Sequence, residues 1–273
     1  MFFNPRPKEL DPVEGVYWGR QAHLRLVTGP TYQQIELVTN IEDPADIDYV
    51  RLTLNGSPIV DVTGQDLVDI QEHRGNYVQK GRYIIPFYDF KMKTKQGIRH
   101  GELVTLPGEL WMMYIQLKNK DADAAPPVIE ARAHTTAAQP ERYFMPELKT
   151  FTWNGSKRGR QMFDYPERSP FNSIKRMHFQ TDKIARVRVV RDDVEEMNVT
   201  REDNAFDLRV VGLEQNSGYF SLDFVRHGFG SEGKLNTAAQ RQLGFELDLE
   251  KIGPINVLIE GIKQVKPLPT KQS

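Results

Sequence analysis

The chain repeats itself once. Val50-Arg51-Leu52-Thr53-Leu54 alternates apolar with polar residues and runs into Asn55-Gly56; Val187-Arg188-Val189-Val190-Arg191 runs likewise into Asp192-Asp193, an offset of 137 residues. Alternation of period two marks a half-buried strand, and residues that tolerate left-handed backbone mark the turn that ends it. The same offset carries Thr63-Gly64-Gln65-Asp66 onto Thr200-Arg201-Glu202-Asp203. Each is a helix start: the threonine hydroxyl can accept an N–H of the first turn, and the aspartate complements the helix dipole. The register still holds where Gly81-Arg82-Tyr83-Ile84-Ile85-Pro86-Phe87 falls on Gly218-Tyr219-Phe220-Ser221-Leu222-Asp223-Phe224. Composition alone gives a β-protein recurrent valines and threonines. A constant offset through strand, turn, helix start and aromatic strand favours duplication over convergence within one large β-domain.

Outside this stretch the spacing is expected to drift. Tyr32 and Ile35 are matched to Phe171 and Ile174 at 139; Leu110, Met112 and Tyr114 to Leu243, Phe245 and Leu247 at 133; and Val128-Ile129 to Val257-Leu258 at 129. Two units are too few for a solenoid. The expectation is all-β: two tandem β-sandwiches at 20–135 and 170–265, with short helices in loops. Residues 1–19 read as an N-terminal arm and 266–273 as a C-terminal tail. The segment 136–169 reads as an interdomain connection that packs through Tyr143, Phe144, Phe151, Trp153 and Phe163.

At 273 residues, with 39% hydrophobic and 27% charged, the chain can bury a core and does not read as disordered. Thirty-six basic residues against 37 acidic ones leave no overall field toward nucleic acid or an anionic bilayer, so no specific nucleic-acid partner is expected. With no cysteine there are no disulfides, thiolate metal sites or cysteine nucleophiles. The first residues, Met1 to Glu9, carry two early prolines and no apolar h-region, and the longest apolar run, Leu110 to Ile115, is too short to span a bilayer. A soluble protein made and assembled in the cytoplasm is expected. Asn55, Asn154 and Asn198 open N-x-Ser/Thr triplets, which read as turn chemistry.

No constellation of catalytic residues stands out. Gly228-Phe229-Gly230-Ser231-Glu232-Gly233 has the dinucleotide spacing, but only a short helical stretch, Asn236 to Leu243, follows it where a βαβ unit needs a long helix. Histidines 23, 73, 100, 134, 178 and 227 are dispersed, and neither a nucleophile elbow nor a P-loop occurs. No cofactor is required on this reading. Asp121, Asp123, Asp192 and Asp193 are weak candidates for calcium or another divalent cation, which favours loop carboxylates. Lys157, Arg158 and Arg160 form the compact basic cluster, a candidate for phosphate groups of lipid or nucleic acid.

Gly29-Pro30-Thr31-Tyr32-Gln33-Gln34-Ile35-Glu36-Leu37, followed by Ile47-Asp48-Tyr49-Val50-Arg51-Leu52-Thr53-Leu54-Asn55-Gly56, resembles the opening of the first barrel in double jelly-roll major capsid proteins. The resemblance is to those of tailless internal-membrane bacteriophages, of the corticovirus type. It implies two tandem jelly-roll β-sandwiches, no enzymatic activity, and a homotrimer forming a pseudo-hexagonal capsomer of an icosahedral shell around an internal membrane. Expected partners are neighbouring capsomers, minor capsid, vertex and membrane proteins of the virion, and peripherally the membrane. The alternative is a double β-sandwich that binds or processes glycans, and a tail or spike adhesin is a third reading.

Overall fold

A computed structural model describes residues 5–121 and 123–268. The first half holds β1 (Arg6–Glu9), β2 (Gln21–Arg25), β3 (Thr31–Thr39), β4 (Ile47–Leu54), β5 (Ser57–Val62), β6 (Arg82–Pro86), β7 (Leu103–Val104), β8 (Trp111–Leu117) and β9 (Ile129–Thr136), with helices α1 (Gly64–His73) and α2 (Lys95–Arg99). The second holds β10 (Phe144–Gly155), β11 (Gly159–Asp164), β12 (Asn172–Phe179), β13 (Ile184–Arg191), β14 (Val194–Thr200), β15 (Phe220–Asp223), β16 (Leu235–Asn236), β17 (Leu243–Leu249) and β18 (Gly253–Gln264), with helix α3 (Arg201–Val210).

The duplication is visible element by element. In the first barrel one sheet runs β1-β9-β3-β6, and in the second its counterpart runs β10-β18-β12-β15; β5-β4-β8-β2 is matched likewise by β14-β13-β17-β11. Both first hairpins turn through left-handed backbone, Asn55 and Gly56 at φ 50° and 86°, Asp192 and Asp193 at 47° and 71°. These are the angles of the turn whose twist suits paired strands. Thr63 and Thr200 then cap α1 and α3, each accepting the N–H of the aspartate three residues on, at 3.1 Å in both cases.

Two hydrophobic cores follow from the alternation. Trp111, Met113, Ile115 and Leu117 of β8 point into the first, while Leu243, Phe245, Leu247 and Leu249 of β17 point into the second. The true offset here is therefore 132, not 133. The expected match put Leu110, Met112 and Tyr114, which face away from the core, against inward residues. A slip of one residue exchanges the faces of a strand. In β3 and β12 the inward sets are Tyr32, Ile35, Leu37 and Ile174, Met177, Phe179, an offset of 142 where 139 was expected. Both strands carry a bulge at the same place, between Tyr32 and Gln34 and between Ile174 and Arg176. Ile129 and Ala131 of β9 correspond to Ile255 and Val257 of β18 at 126, not 129.

Two other expectations meet a different structure. Residues 6–9 do not dangle as an arm; they form β1 at the edge of the first barrel, pairing Arg6–Glu9 with Arg132–Thr135. The stretch read as a connection carries β10, which pairs with β18 along its whole length and with β5 in parallel through Leu148↔Val60 and Lys149↔Asp61. One nine-stranded sheet thus runs through both barrels. Met145 and Leu148 of β10 join the first core, whereas Phe151 and Trp153 pack on the second. The helix expected over 236–243 is absent: Leu235–Asn236 is β16, and Thr237 is tied by its hydroxyl to the carbonyls of Glu167, Ser169 and Asn172. No helix among the described residues is long and apolar enough to cross a membrane.

Candidate functional site

The strands of the second barrel that face the first bury polar residues. On β12, Met177 and Phe179 turn into the core, so Arg176 and His178 turn outward; on β15, Phe220 and Leu222 turn inward and Ser221 and Asp223 outward. On β18, Val257 and Ile259 belong to the second core, while Leu258 enters the first and Glu260 joins the polar set. Against them the first barrel places His73 and Arg74 from the end of α1 and Asp89 from the loop after β6.

Arg176 organises the seam. Its guanidinium donates to Asp223 at 2.7 Å, to Asp89 at 2.7 Å and to Glu260 at 3.3 Å. Arg74 donates to the same Glu260 oxygen, and His73 Nε2 lies 3.2 Å from Asp223. His178 bridges Ser221 at 2.9 Å and Glu260 at 3.3 Å, with its ring edge-on to His73 at 4.8 Å. Further along, Tyr219 donates to Asp69 of α1 at 2.6 Å, and Asn216 to the Asp69 carbonyl at 3.0 Å.

Burial opposes ionisation of Asp89, Asp223 and Glu260, but the Arg176 guanidinium at Asp89 and Asp223, and Arg74 together with Arg176 at Glu260, override it and hold all three below the usual carboxylate range. Those three carboxylates push Arg176 up against its own desolvation. His178 is lowered, first by burial. Burial and the adjacent arginines bring Lys175, the bulge residue beside Arg176, down to about 8. Ser221, His178 and Glu260 have the order of a hydrolytic triad. However, Ser221 is 1% exposed and Glu260 is engaged by two guanidinium groups, so no substrate reaches the hydroxyl. The arrangement joins two barrels. Buried ion networks add little net stability but penalise alternative geometry, because removing one partner strands a charge.

The structure does not bring the cation candidates together. Asp192 accepts the N–H groups of Gln240, Arg241 and Gln242 at 2.9, 2.7 and 3.0 Å, which lower its pKa to about 2. Asp193 pairs with Arg241 at 2.8 Å. Asp121 and Asp123 stand exposed in a separate turn. Among the described residues no three His, Asp or Glu side chains converge as metal ligands. Lys157 and Arg158 are exposed at the β10–β11 hairpin, and Arg160 reaches Glu246 at 3.3 Å. The glycine-rich loop 228–233 is a turn between β15 and β16, closed by Gly233 N–H to the Phe229 carbonyl at 2.9 Å. The seam residues lay beyond sequence reasoning because 73, 89, 176, 223 and 260 converge only through the barrel topology. The one local signal was charge at outward strand positions with apolar neighbours on both sides, as at Glu260.

Comparison with known proteins agrees with this architecture. The model of the viral coat protein P2 N-terminal domain matches residues 7–136, and that of the P2 C-terminal domain matches 145–265. The chain superposes on the major capsid protein P2 from bacteriophage PM2 with a TM-score of 0.87 at 18% identity, covering 96% of this chain and 98% of that one. The major capsid protein of STIV gives 0.69 at 10% identity over 96% and 97%, and VP54 of PBCV-1 gives 0.67 at 9% over 97% and 96%. No curated protein sequence matches. Neither these structures nor the family models support the glycan-binding or glycan-processing alternative. The fold is the double jelly roll, and the chain belongs to the viral coat protein P2 family, a major capsid protein whose place is the shell of the virion.

Proposed function

We propose that three copies close into a pseudo-hexagonal capsomer of six barrels, with no catalytic role, in a shell around an internal membrane. The carrying observation is an asymmetry between equivalent helices. On α1, Asp69 and His73 are buried against the second barrel of the same chain. The residues 137 positions on, Phe206 and Val210 of α3, are 67% and 68% exposed. Two large apolar side chains one helical turn apart, at the positions that make the internal seam, suit a second copy of the chain.

The receiving surface is the counterpart of the β18-β12-β15 face, namely the outer face of β9-β3-β6 on a neighbour's first barrel. The edge strands agree: β10 lies beside β5, so by the same relation β14 of one copy lies beside β1 of the next. Pro7 in β1 interrupts that edge as a template for indiscriminate pairing, leaving side chains to select the contact. The contact is heterologous, and threefold closure makes a ring of it.

Assembly in the host cytoplasm, contact with minor capsid, vertex and membrane proteins, and peripheral contact of Lys157 and Arg158 with the membrane belong to the same reading. Calcium or another divalent cation between copies is assigned to Asp121 and Asp123, since Asp192 and Asp193 are already engaged. Size-exclusion chromatography with light scattering tests the central claim: the expected mass is about three times that of the chain. A monomer at high concentration would overturn it.

A further inference from the structure

Beside the seam, between the β6–α2 loop of the first barrel and the end of α3 and the β15–β16 loop of the second, lies a cleft of about 380 Å³. Arg74, Lys91, Lys93, Arg176 and Arg226 line it, and Asp89 is the carboxylate among its described lining residues. Three of the cations are matched: Arg74 by Glu260, Arg176 by Asp89, Asp223 and Glu260, and Arg226 by Asp207 at 3.0 Å. Lys91 and Lys93 have no carboxylate within ion-pair distance among the described residues. Arg74 Nε is buried with no acceptor, in a side chain 5% exposed.

Lys91 is held at its ammonium and Lys93 along its stem. Lys91 Nζ donates to the carbonyls of Arg74 and Gly75 at 2.5 and 2.7 Å, which leaves one of its three N–H groups for a ligand. Gly75 has φ 60°, and a Cβ there would lie 3.2 Å from that ammonium. The Lys93 stem lies on Gly228 at φ 86°, where a Cβ would meet its Cγ at 2.9 Å, and the Lys93 N–H donates to the Gly228 carbonyl at 2.9 Å. The tethered Lys91 ammonium and the Lys93 ammonium, which stands 5.4 Å over the Phe229 ring, lack counter-ions and, beside an arginine with a spare donor, form a cradle for a compact oxyanion.

We propose that this cleft binds a phosphate group, supplied as free phosphate or by a lipid headgroup, and that the bound phosphate ties the first barrel to Arg226 of the second. The cleft lies within one chain and shares only its Val210 rim with the proposed assembly face, so binding is measured on the chain itself and its failure would leave the assembly reading intact. Isothermal titration of the full chain with inorganic phosphate and glycerol 3-phosphate, against sodium chloride at matched ionic strength, is one arm. Co-sedimentation with phosphatidylglycerol vesicles against phosphatidylcholine vesicles is the other.

Saturable binding is expected, weakened at least about tenfold in the Lys91→Met/Lys93→Met double variant by loss of charge-assisted contacts. Binding in the vesicle arm alone would assign the phosphate to a headgroup. Lys93→Met by itself, at an exposed position, keeps the test available if the double variant does not fold. Absence of saturable binding in both arms, or binding indifferent to the lysine changes, overturns the proposal.

Discussion

Arg176 of β12 and Asp89 of the first barrel, 87 positions apart in sequence, meet at 2.7 Å with side chains 3% and 4% exposed. Each belongs to a barrel with its own apolar core, so this contact is made only when the two barrels take one mutual orientation. The same guanidinium holds Asp223 and Glu260. In the proposed ring of three copies that rigidity would matter, because an error in the angle between barrels would be multiplied around it.

Removing Arg176 leaves three buried carboxylates short of a partner. Arg176→Met is expected to destabilise the chain by about 3–5 kcal/mol, the range for breaking a buried ion pair. Denaturant unfolding measures it. Asp89→Asn should cost less, since it deletes one carboxylate and Arg176 keeps two others. A double-mutant cycle with additive effects would show that the pair is not coupled.

Acid should act on the seam early. Asp89, Asp223 and Glu260 ionise below their ordinary range in the folded chain, so the unfolded chain takes up protons first as pH falls. Their contribution is therefore complete above the unfolded carboxylate value and is lost from about pH 4 downward. Urea midpoints between pH 7 and 3 should fall along that window, less steeply in Asp223→Asn. Equal slopes in the two proteins would remove Asp223 from the account.

Lys175 has the opposite sign. Its folded pKa is brought down to about 8, so between there and the ordinary lysine value the unfolded chain binds more protons and stability rises with pH. Below pH 8 the buried ammonium is a cost, roughly 3 kcal/mol at most from the size of the shift. Lys175→Met is expected to be more stable than the parent at pH 7 and to lose that advantage by pH 10. A thermal melt that moves the other way would mean that the ammonium has a partner worth more than its desolvation.

The middle of each repeat was legible because strand, turn and helix cap are local: Asn55-Gly56 and Asp192-Asp193, Thr63 and Thr200 announce themselves within a few residues. The flanks were not, since loops and the shared bulge change spacing by amounts that no short pattern records. Matching Leu110 to Leu243 rather than Trp111 to Leu243 shows the hazard, because both alignments set apolar on apolar and only burial separates them. β10 was hidden differently. Its charged and proline residues resemble a linker, yet Phe151-Thr152-Trp153 keeps the alternation of a strand, and that was the signal to follow. The seam required the completed topology.

The assembly surface offers the sharpest separation of folding from function. Phe206 and Val210 are exposed in the single chain, so replacing them costs little there; surface changes of this kind stay within about 0.5 kcal/mol. In a ring they would be buried against β9-β3-β6 of the next copy, where a charge without a partner is expensive. Phe206→Glu and Val210→Glu should therefore leave the melting temperature of the isolated chain nearly unchanged and shift light scattering from trimer to monomer. The control is Asp207→Asn, which loosens the surface pair with Arg226 on the same helix and should leave the oligomer intact. Trimers that survive both glutamate substitutions would take the contact off the α3 face and leave it to the edges of β1 and β14.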